Sequence, residues 1–317
     1  MIALMQSTLP YIDADQLFGL VPLTDALTAL RSCFAAAPSH VDRVHSHAGG
    51  GEFLVMPAAA GDVAGVKLVG IQPANPRRGL PIIQGVYVLF DMRIGQPVAL
   101  LDGAALTTLR TPMISALATD ALARDDARTV GIIGTGPQAV AHVHAMRVVR
   151  PDIDRVVVAG RTVTHVAKVV DELISGGESA VAGSYAEAAG CDIVCAATRA
   201  DAPLFGLAEV RPGTHLNLVG SYRLDLREVT ADLVAGSTVA VDDTAAAKAE
   251  AGDLHLAVEE GAWTWDRIAG DLTDLATGRL RRTSDTEITV FKSVGLAVQD
   301  LAIAQRAAAA AGILAAA

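Results

Sequence analysis

From about residue 128 to 245, short β-branched or apolar runs alternate with helical stretches: TVGII, RVVVAG, SAVAG, DIVCAAT, HLNLVGS and STVAVDD. That alternation predicts a parallel sheet with crossover helices, an α/β doubly wound fold. The first 120 residues are patterned differently. GEFLVMPA, AGVKLVGIQP, IIQGVYVLFD and QPVALLDG are strand-like pieces linked by Gly, Pro and Asn turns. They predict hairpins in a mainly antiparallel sheet, preceded by a helix around residues 22–36. Near the end, Leu296, Ala297, Leu301, Ala304 and Ala308 recur at helical spacing and predict a closing helix. This helix follows the α/β region and can return to the N-terminal part. The expected organisation is therefore a discontinuous α+β substrate-binding and dimerisation domain, 1–120 plus 290–317, and a Rossmann-type domain, 121–289.

Composition narrows the partners. Hydrophobic residues make up 51% and charged residues 19% of the 317, with no apolar run long enough for a membrane span. The N-terminus has no basic start, long apolar core or small-residue cleavage site, so a cytoplasmic protein is expected. A net charge of −10 without a basic stripe argues against nucleic acid. Cys33, Cys191 and Cys195 are too few for a disulfide framework, and Cys191 and Cys195, on either side of the apolar run DIV, read as small buried thiols.

The sharpest local signal follows the run Thr129 to Ile133. Gly134-Thr135-Gly136-Pro137-Gln138-Ala139 has the G-x-G-x-x-A form of the dinucleotide fingerprint. Gly134 allows the tight turn, Gly136 lets the backbone approach a pyrophosphate, and Ala139 lets the helix pack on the strand. The helix N-terminus then offers N–H groups and its positive dipole end to phosphate. After the second strand, an NAD site usually has Asp or Glu. Here Gly160, Arg161 and Thr162 follow it. A cation and a hydroxyl suit a 2'-phosphate, so NADP(H) is the expected cofactor, with NAD(H) also accepted.

The N-terminal half must supply the substrate side. Lys67 interrupts an apolar strand, where simple alternation turns it to solvent with Val66 and Leu68 inward. Asp102, Arg110 and Thr111 flank a helix start. His45 and His47, with His40 nearby, share a face of a strand. No third ligand stands at fixed spacing, and no metal is expected.

At this point the chain resembles the ornithine cyclodeaminase/mu-crystallin family. The resemblance is carried by LVMPA, GVKLV, NPRRGLPIIQGVYVLFD, PVALLDGAALTTLRTPMISALA, GIIGTG, DIVCAAT, GSYRLDLRE, AGDL and EITVFKSVGLAVQDLA, which together run over nearly the whole chain. It implies a homodimer, an NAD(P)-binding Rossmann domain and an active site in the cleft between domains. It also implies an amino or imino acid held by its carboxylate on two arginines and a lysine, here Arg43, Lys67 and Arg110. Cationic donors suit a desolvated carboxylate, and fixing it aims Cα at the nicotinamide.

Members that cyclise ornithine carry an aspartate two residues after the glycine ending the fifth strand. Aligning on Gly220 and Glu228 puts Tyr222 there. A phenol is a poor base at neutral pH, which disfavours the deaminating chemistry. The resemblance then implies a reductase of cyclic imino acids, Δ1-pyrroline-2-carboxylate or Δ1-piperideine-2-carboxylate, with Lys67, Arg110 and Tyr222 at the reacting centre. Thr198, Ser221 and Thr111 join the cofactor contacts. Gln84 would line the substrate where relatives often have threonine, and Pro112-Met113 replace smaller residues. Asp225 reads as a loop residue, and Asp102, Lys292 and Ser293 as capping or inter-domain residues. The alternatives are an ornithine cyclodeaminase, an alanine or opine-type dehydrogenase, and a binding protein that keeps cofactor without turnover.

Overall fold

The computed structural model describes residues 8–39 and 41–315. The first seven residues and His40, on which the expectations about secretion and metal binding partly rest, lie outside the described residues. The chain divides into two compact units. One comprises the chain up to Ala29, Pro38–Arg110 and Leu296 onward; the other comprises Leu30–Ala37 and Thr111–Gly295. These divisions differ from the expected 120/121 and 289/290 for two reasons. The helix Gly103–Leu122 runs unbroken through the first boundary, and the strand Thr289–Lys292, of which residues 290–292 fall in the expected first domain, belongs wholly to the second unit's sheet.

In the first unit β1 (Tyr11–Ile12), β2 (Val44–Ala48), β3 (Gly51–Ala60), β4 (Val63–Ile71), β5 (Ile83–Asp91) and β6 (Gln96–Asp102) form one sheet in the order β1-β6-β5-β4-β3-β2. All pairings are antiparallel except β1 with β6. The closing helix, Ala297–Ala310, packs against β3, β4 and β5. Its cover decides the phase of β4. Val63, Gly65, Lys67, Val69 and Ile71 are buried, whereas Ala64, Val66 and Leu68 are half-buried and Gly70 is exposed. Lys67 therefore points inward, opposite to the orientation expected from alternation. Both alternating sets are largely apolar, so period two alone could not choose between them.

In the second unit β7 (Thr129–Ile133), β8 (Arg155–Ala159), β9 (Ala180–Ala182), β10 (Ile193–Ala196), β11 (His215–Leu218), β12 (Thr238–Val241), β13 (Ile268–Gly270) and β14 (Thr289–Lys292) form a sheet in the order β13-β12-β14-β11-β10-β7-β8-β9. Every pairing is parallel. The chain winds outward from β7 through β8 to β9, then resumes on the other side of β7 with β10. The ends of β7 and β10 thus flank a topological switch point, where open α/β sheets take ligands. Cys191 and Cys195 are buried in this unit as free thiols. Among the described residues no single helix is long and apolar enough to cross a membrane.

Candidate active site

In the first unit the site starts with the end of β6. Asp102 accepts hydrogen bonds from the backbone N–H groups of Ala104 and Ala105, both at 2.9 Å, and so starts the helix Gly103–Leu122. That cap is the structural role of Asp102. One and two turns further on, the helix presents Thr107 and Arg110. Lys67, only 2% exposed, donates from Nζ to Thr107 Oγ1 at 3.1 Å and forms an ion pair with Asp300 Oδ2 at 2.7 Å. Arg110 donates from Nη1 to Gln299 Oε1 at 2.8 Å and approaches Asp300 Oδ1 with Nε at 3.5 Å. The consecutive residues Gln299 and Asp300, in the first turn of the closing helix and fully buried, thus meet the two cations of the other elements.

Tyr87 lies directly across from Lys67 in the β4–β5 register. Its ring packs over Gly65, where a Cβ would come within 2.2 Å of the phenol oxygen. Its buried hydroxyl and Gln299 Nε2 have no hydrogen-bond partner among the described residues, so both are available to a ligand. Burial, and then the charge of Asp300, hold the Tyr87 phenol well above its usual pKa, which keeps it a neutral donor.

Lys67 is pushed down to about 8, first by burial and then by the Arg110 and Arg43 charges, against the pull of Asp300. A buried ammonium with a pKa near neutrality can both hold an anion and give up a proton. Arg43, half-buried just before β2, therefore bears electrostatically on the same group. Gln84 does not join them. It is exposed and, three residues from Tyr87 on an unbroken strand, occupies the opposite face. His45 on β2 contacts Glu52 Oε1 at 2.5 Å, and among the described residues no group of three His, Cys, Asp or Glu side chains is placed to hold a metal.

The second unit carries the glycine turn. Gly134 has φ +125°, and a Cβ there would lie 2.8 Å from the Ala197 carbonyl oxygen, at the end of β10. Only glycine fits both the backbone angle and that approach. Beyond it Gly136 is exposed, and a Cβ there would meet nothing within 4 Å, so its backbone is open to a ligand. The helix Gln138–Val149 begins at Pro137 with no side-chain cap, and Ala139 is buried against the sheet. An uncapped N-terminus behind an open glycine backbone fits a pyrophosphate. At the end of β8, a Cβ on Gly160 would come within 2.8 Å of Thr135 Cγ2, so glycine there makes room for the turn. Arg161 is exposed, and Thr162 is half-buried at the start of the helix Val163–Ser175. Thr111 is buried, and its hydroxyl has no partner among the described residues.

Sequence reasoning misses what holds the strand ends beside this turn. Glu228 is fully buried and accepts from Thr198 N and Oγ1, both at 2.7 Å, and from Gly220 N at 2.9 Å. Asp253 accepts from Ser221 Oγ at 2.9 Å and from the backbone of Glu228 and Val229. Lys292 pairs with Asp253 at 3.0 Å and donates to the Ser221 carbonyl at 2.6 Å. Ser293 instead donates to Asp242, which also accepts from the backbone of Val294 and Gly295. Lys292 and Ser293 thus bond within the second unit. Burial first, and the Asp253 charge second, raise the Glu228 pKa against the pull of Lys292 and the Thr198 donors. The network fixes Thr198, Gly220 and Ser221, with Tyr222 half-buried next along the chain and Asp225 exposed in an ion pair with Arg223. Lys292→Met leaves buried carboxylates uncompensated and should destabilise the protein by about 3–5 kcal/mol, lowering Tm by roughly 6–20 °C in calorimetry. A shift within about 2 °C would count against this role.

Comparison with known proteins places this architecture. The family model described as ornithine cyclodeaminase/mu-crystallin family matches residues 20–309. A Δ1-pyrroline-2-carboxylate reductase of Bacillus cereus is 37% identical over 259 residues, 80% of this chain and 79% of that protein. Among solved structures, the Thermococcus litoralis Δ1-pyrroline-2-carboxylate reductase in complex with NADH and L-proline superposes with TM-score 0.91 at 30% identity, covering 96% of this chain and 97% of the other. An archaeal alanine dehydrogenase dimer with bound NAD gives TM-score 0.90 at 29% identity, with 96% of each chain covered. With its fold shared over nearly the full length and its sequence matched from residue 20 to 309, the chain belongs to the ornithine cyclodeaminase/mu-crystallin family.

Proposed function

We propose that the protein is an NAD(P)H-dependent reductase of cyclic imino acids, converting Δ1-pyrroline-2-carboxylate to proline or Δ1-piperideine-2-carboxylate to pipecolate. The observation that carries this reading is the buried Lys67–Arg110 cation pair of the first unit, in a chain 37% identical to a pyrroline-carboxylate reductase. Arg110, with Arg43, holds the substrate carboxylate; Tyr87 and Gln299 offer further donors to it. Lys67 gives a proton to the imine nitrogen. The second unit would hold the dinucleotide at Gly134, Thr135, Gly136, Pro137, Gln138 and Ala139, with Thr111, Thr198 and Ser221 at its nicotinamide end. When bound, the reduced nicotinamide supplies the hydride. Tyr222 stands where members that cyclise ornithine carry an aspartate and supplies no carboxylate base, which disfavours ornithine cyclisation. At the adenosine end the absence of a carboxylate at Gly160–Thr162 and the exposed Arg161 support a preference for NADPH, with NADH accepted. We read the active form as a homodimer, like the archaeal alanine dehydrogenase.

The second reading, an alanine dehydrogenase, is favoured by the near-equal structural match to that enzyme. The two separate in one experiment. Oxidation of NADPH and NADH is followed with Δ1-pyrroline-2-carboxylate, Δ1-piperideine-2-carboxylate, and pyruvate plus ammonia, with ornithine plus NAD in parallel. The expected result is rapid oxidation with the cyclic imino acids, faster with NADPH, and no ammonia from ornithine. Turnover confined to pyruvate plus ammonia would replace this reading with the second.

A further inference from the structure

Lys67 sits on the covered face of β4 among Val63, Val69 and Ile71, where an isolated ammonium would shed its proton. The charged groups bearing on it come from every surrounding element: Arg110 from the helix Gly103–Leu122, Arg43 ahead of β2, and Asp300 from the closing helix. The neutral Tyr87 phenol faces it from β5. Both arginines push Lys67 toward its neutral amine. Asp300 alone among them opposes this, at 2.7 Å and 0% exposed. An ammonium has three N–H donors; Thr107 Oγ1 takes one at 3.1 Å and is itself anchored to the Gly103 carbonyl at 2.9 Å, while Asp300 Oδ2 lies 2.7 Å from Nζ as its ion-pair partner. With Nζ held between these two groups, an N–H remains for a ligand.

We propose that Asp300 is the positioning residue of the reaction: its buried carboxylate fixes the Lys67 ammonium and keeps it charged, so that the remaining N–H is presented to the substrate imine. The proposal rests on the reading of Lys67 as proton donor. In the step it serves, an Nζ–H bond breaks as an N–H bond forms on the imine nitrogen, the imine carbon receives the hydride of NAD(P)H, and Lys67 regains a proton from solvent. The placement of Asp300 in the first turn of a helix helps keep it ionised, because the positive end of the helix dipole lies beside it.

Asp300→Asn removes the charge and keeps the shape. The alkaline limb of kcat/KM for Δ1-pyrroline-2-carboxylate should move from near 8 to lower pH by about one unit or more. Turnover at pH 8 should fall roughly 10–100-fold and recover toward pH 6, while KM for NAD(P)H stays within about twofold. A merely structural role would lower activity evenly across pH. A readout independent of turnover is proton uptake on binding L-proline, measured calorimetrically at pH 7 in two buffers of different ionisation heat. It should be larger in Asp300→Asn, where Lys67 starts less protonated. Asp300→Glu keeps the charge and shifts it by one methylene, so the limb should stay near 8 while kcat falls. An unmoved limb in Asp300→Asn, or wild-type kcat in Asp300→Glu, overturns the proposal, and the second decides the matter even if the first variant fails to fold. Full activity in Lys67→Met would instead overturn the underlying assignment of the proton donor, leaving the two failures distinguishable.

Discussion

Lys67→Met is expected to lower kcat for reduction of Δ1-pyrroline-2-carboxylate by about 10²–10⁴-fold, the range lost with a positioned general acid. Methionine fills the buried strand position without a charge, and Asp300 keeps Arg110 as a partner, so the fold should survive. The pH dependence gives the sign. Lys67 has a folded-state pKa of about 8, below its ordinary value of 10.5. It is therefore charged and able to donate below pH 8, and loses that capacity as pH rises through 8. For the free enzyme, kcat/KM for reduction should fall above this point. In the reverse direction, oxidation of proline needs the neutral amine as base, and the same limb should rise through pH 8. The residual activity of Lys67→Met should show neither limb. Stopped-flow and steady-state profiles from pH 6 to 10 check both directions. A variant with wild-type kcat, or one that keeps the limb, would remove Lys67 from the chemistry.

Arg110→Leu is expected to act mainly on binding. Arg110 is 7% exposed and its guanidinium is oriented by Gln299 and Asp300, so it is already aimed before a substrate arrives. Losing a buried charge-assisted contact to a carboxylate costs about 2–5 kcal/mol, so KM for the imino acid should rise roughly 30-fold to several thousand-fold, with a smaller change in kcat. Arg110 also depresses the Lys67 pKa. Its removal should move the alkaline limb upward, opposite to the effect of removing Asp300. Steady-state kinetics with NADPH saturating checks both. An unchanged KM would place the carboxylate elsewhere.

Much of this is legible in the sequence, because the second unit's strands are short, apolar and separated by helical stretches, and because Gly134, Gly136 and Ala139 stand where strand gives way to helix. The four hairpin pieces of the first unit are legible for the same reason, each being bounded by turn residues. What fails is phase and distance. Lys67 reads as outward because Val66 and Leu68 are as apolar as Val63 and Val69, and only the covering helix breaks the tie. Asp300 and Gln299 sit in AVQDLAIA, where two polar residues inside an alanine-rich apolar run are the one available sign of a buried polar site. The Glu228–Asp253–Lys292 network joins residues far apart in the chain, and spacing carries no trace of such a meeting. The strand β14 is only four residues long and enters the sheet between β11 and β12 out of sequence order, so the sequence pattern puts the unit boundary too early.

The account turns on a carboxylate gripped by cations of the first unit while its neighbouring carbon is reduced, and the most direct measurement removes that carboxylate from the substrate. Wild-type enzyme and Arg110→Leu are compared with Δ1-pyrroline-2-carboxylate and with Δ1-pyrroline, which has the same ring and imine but no acid group. The account predicts that the wild type prefers the acid by about 10³-fold or more in kcat/KM, and that Arg110→Leu loses most of this preference through the acid alone. Equal turnover of the two compounds by the wild type, or a preference that survives intact in Arg110→Leu, would contradict it.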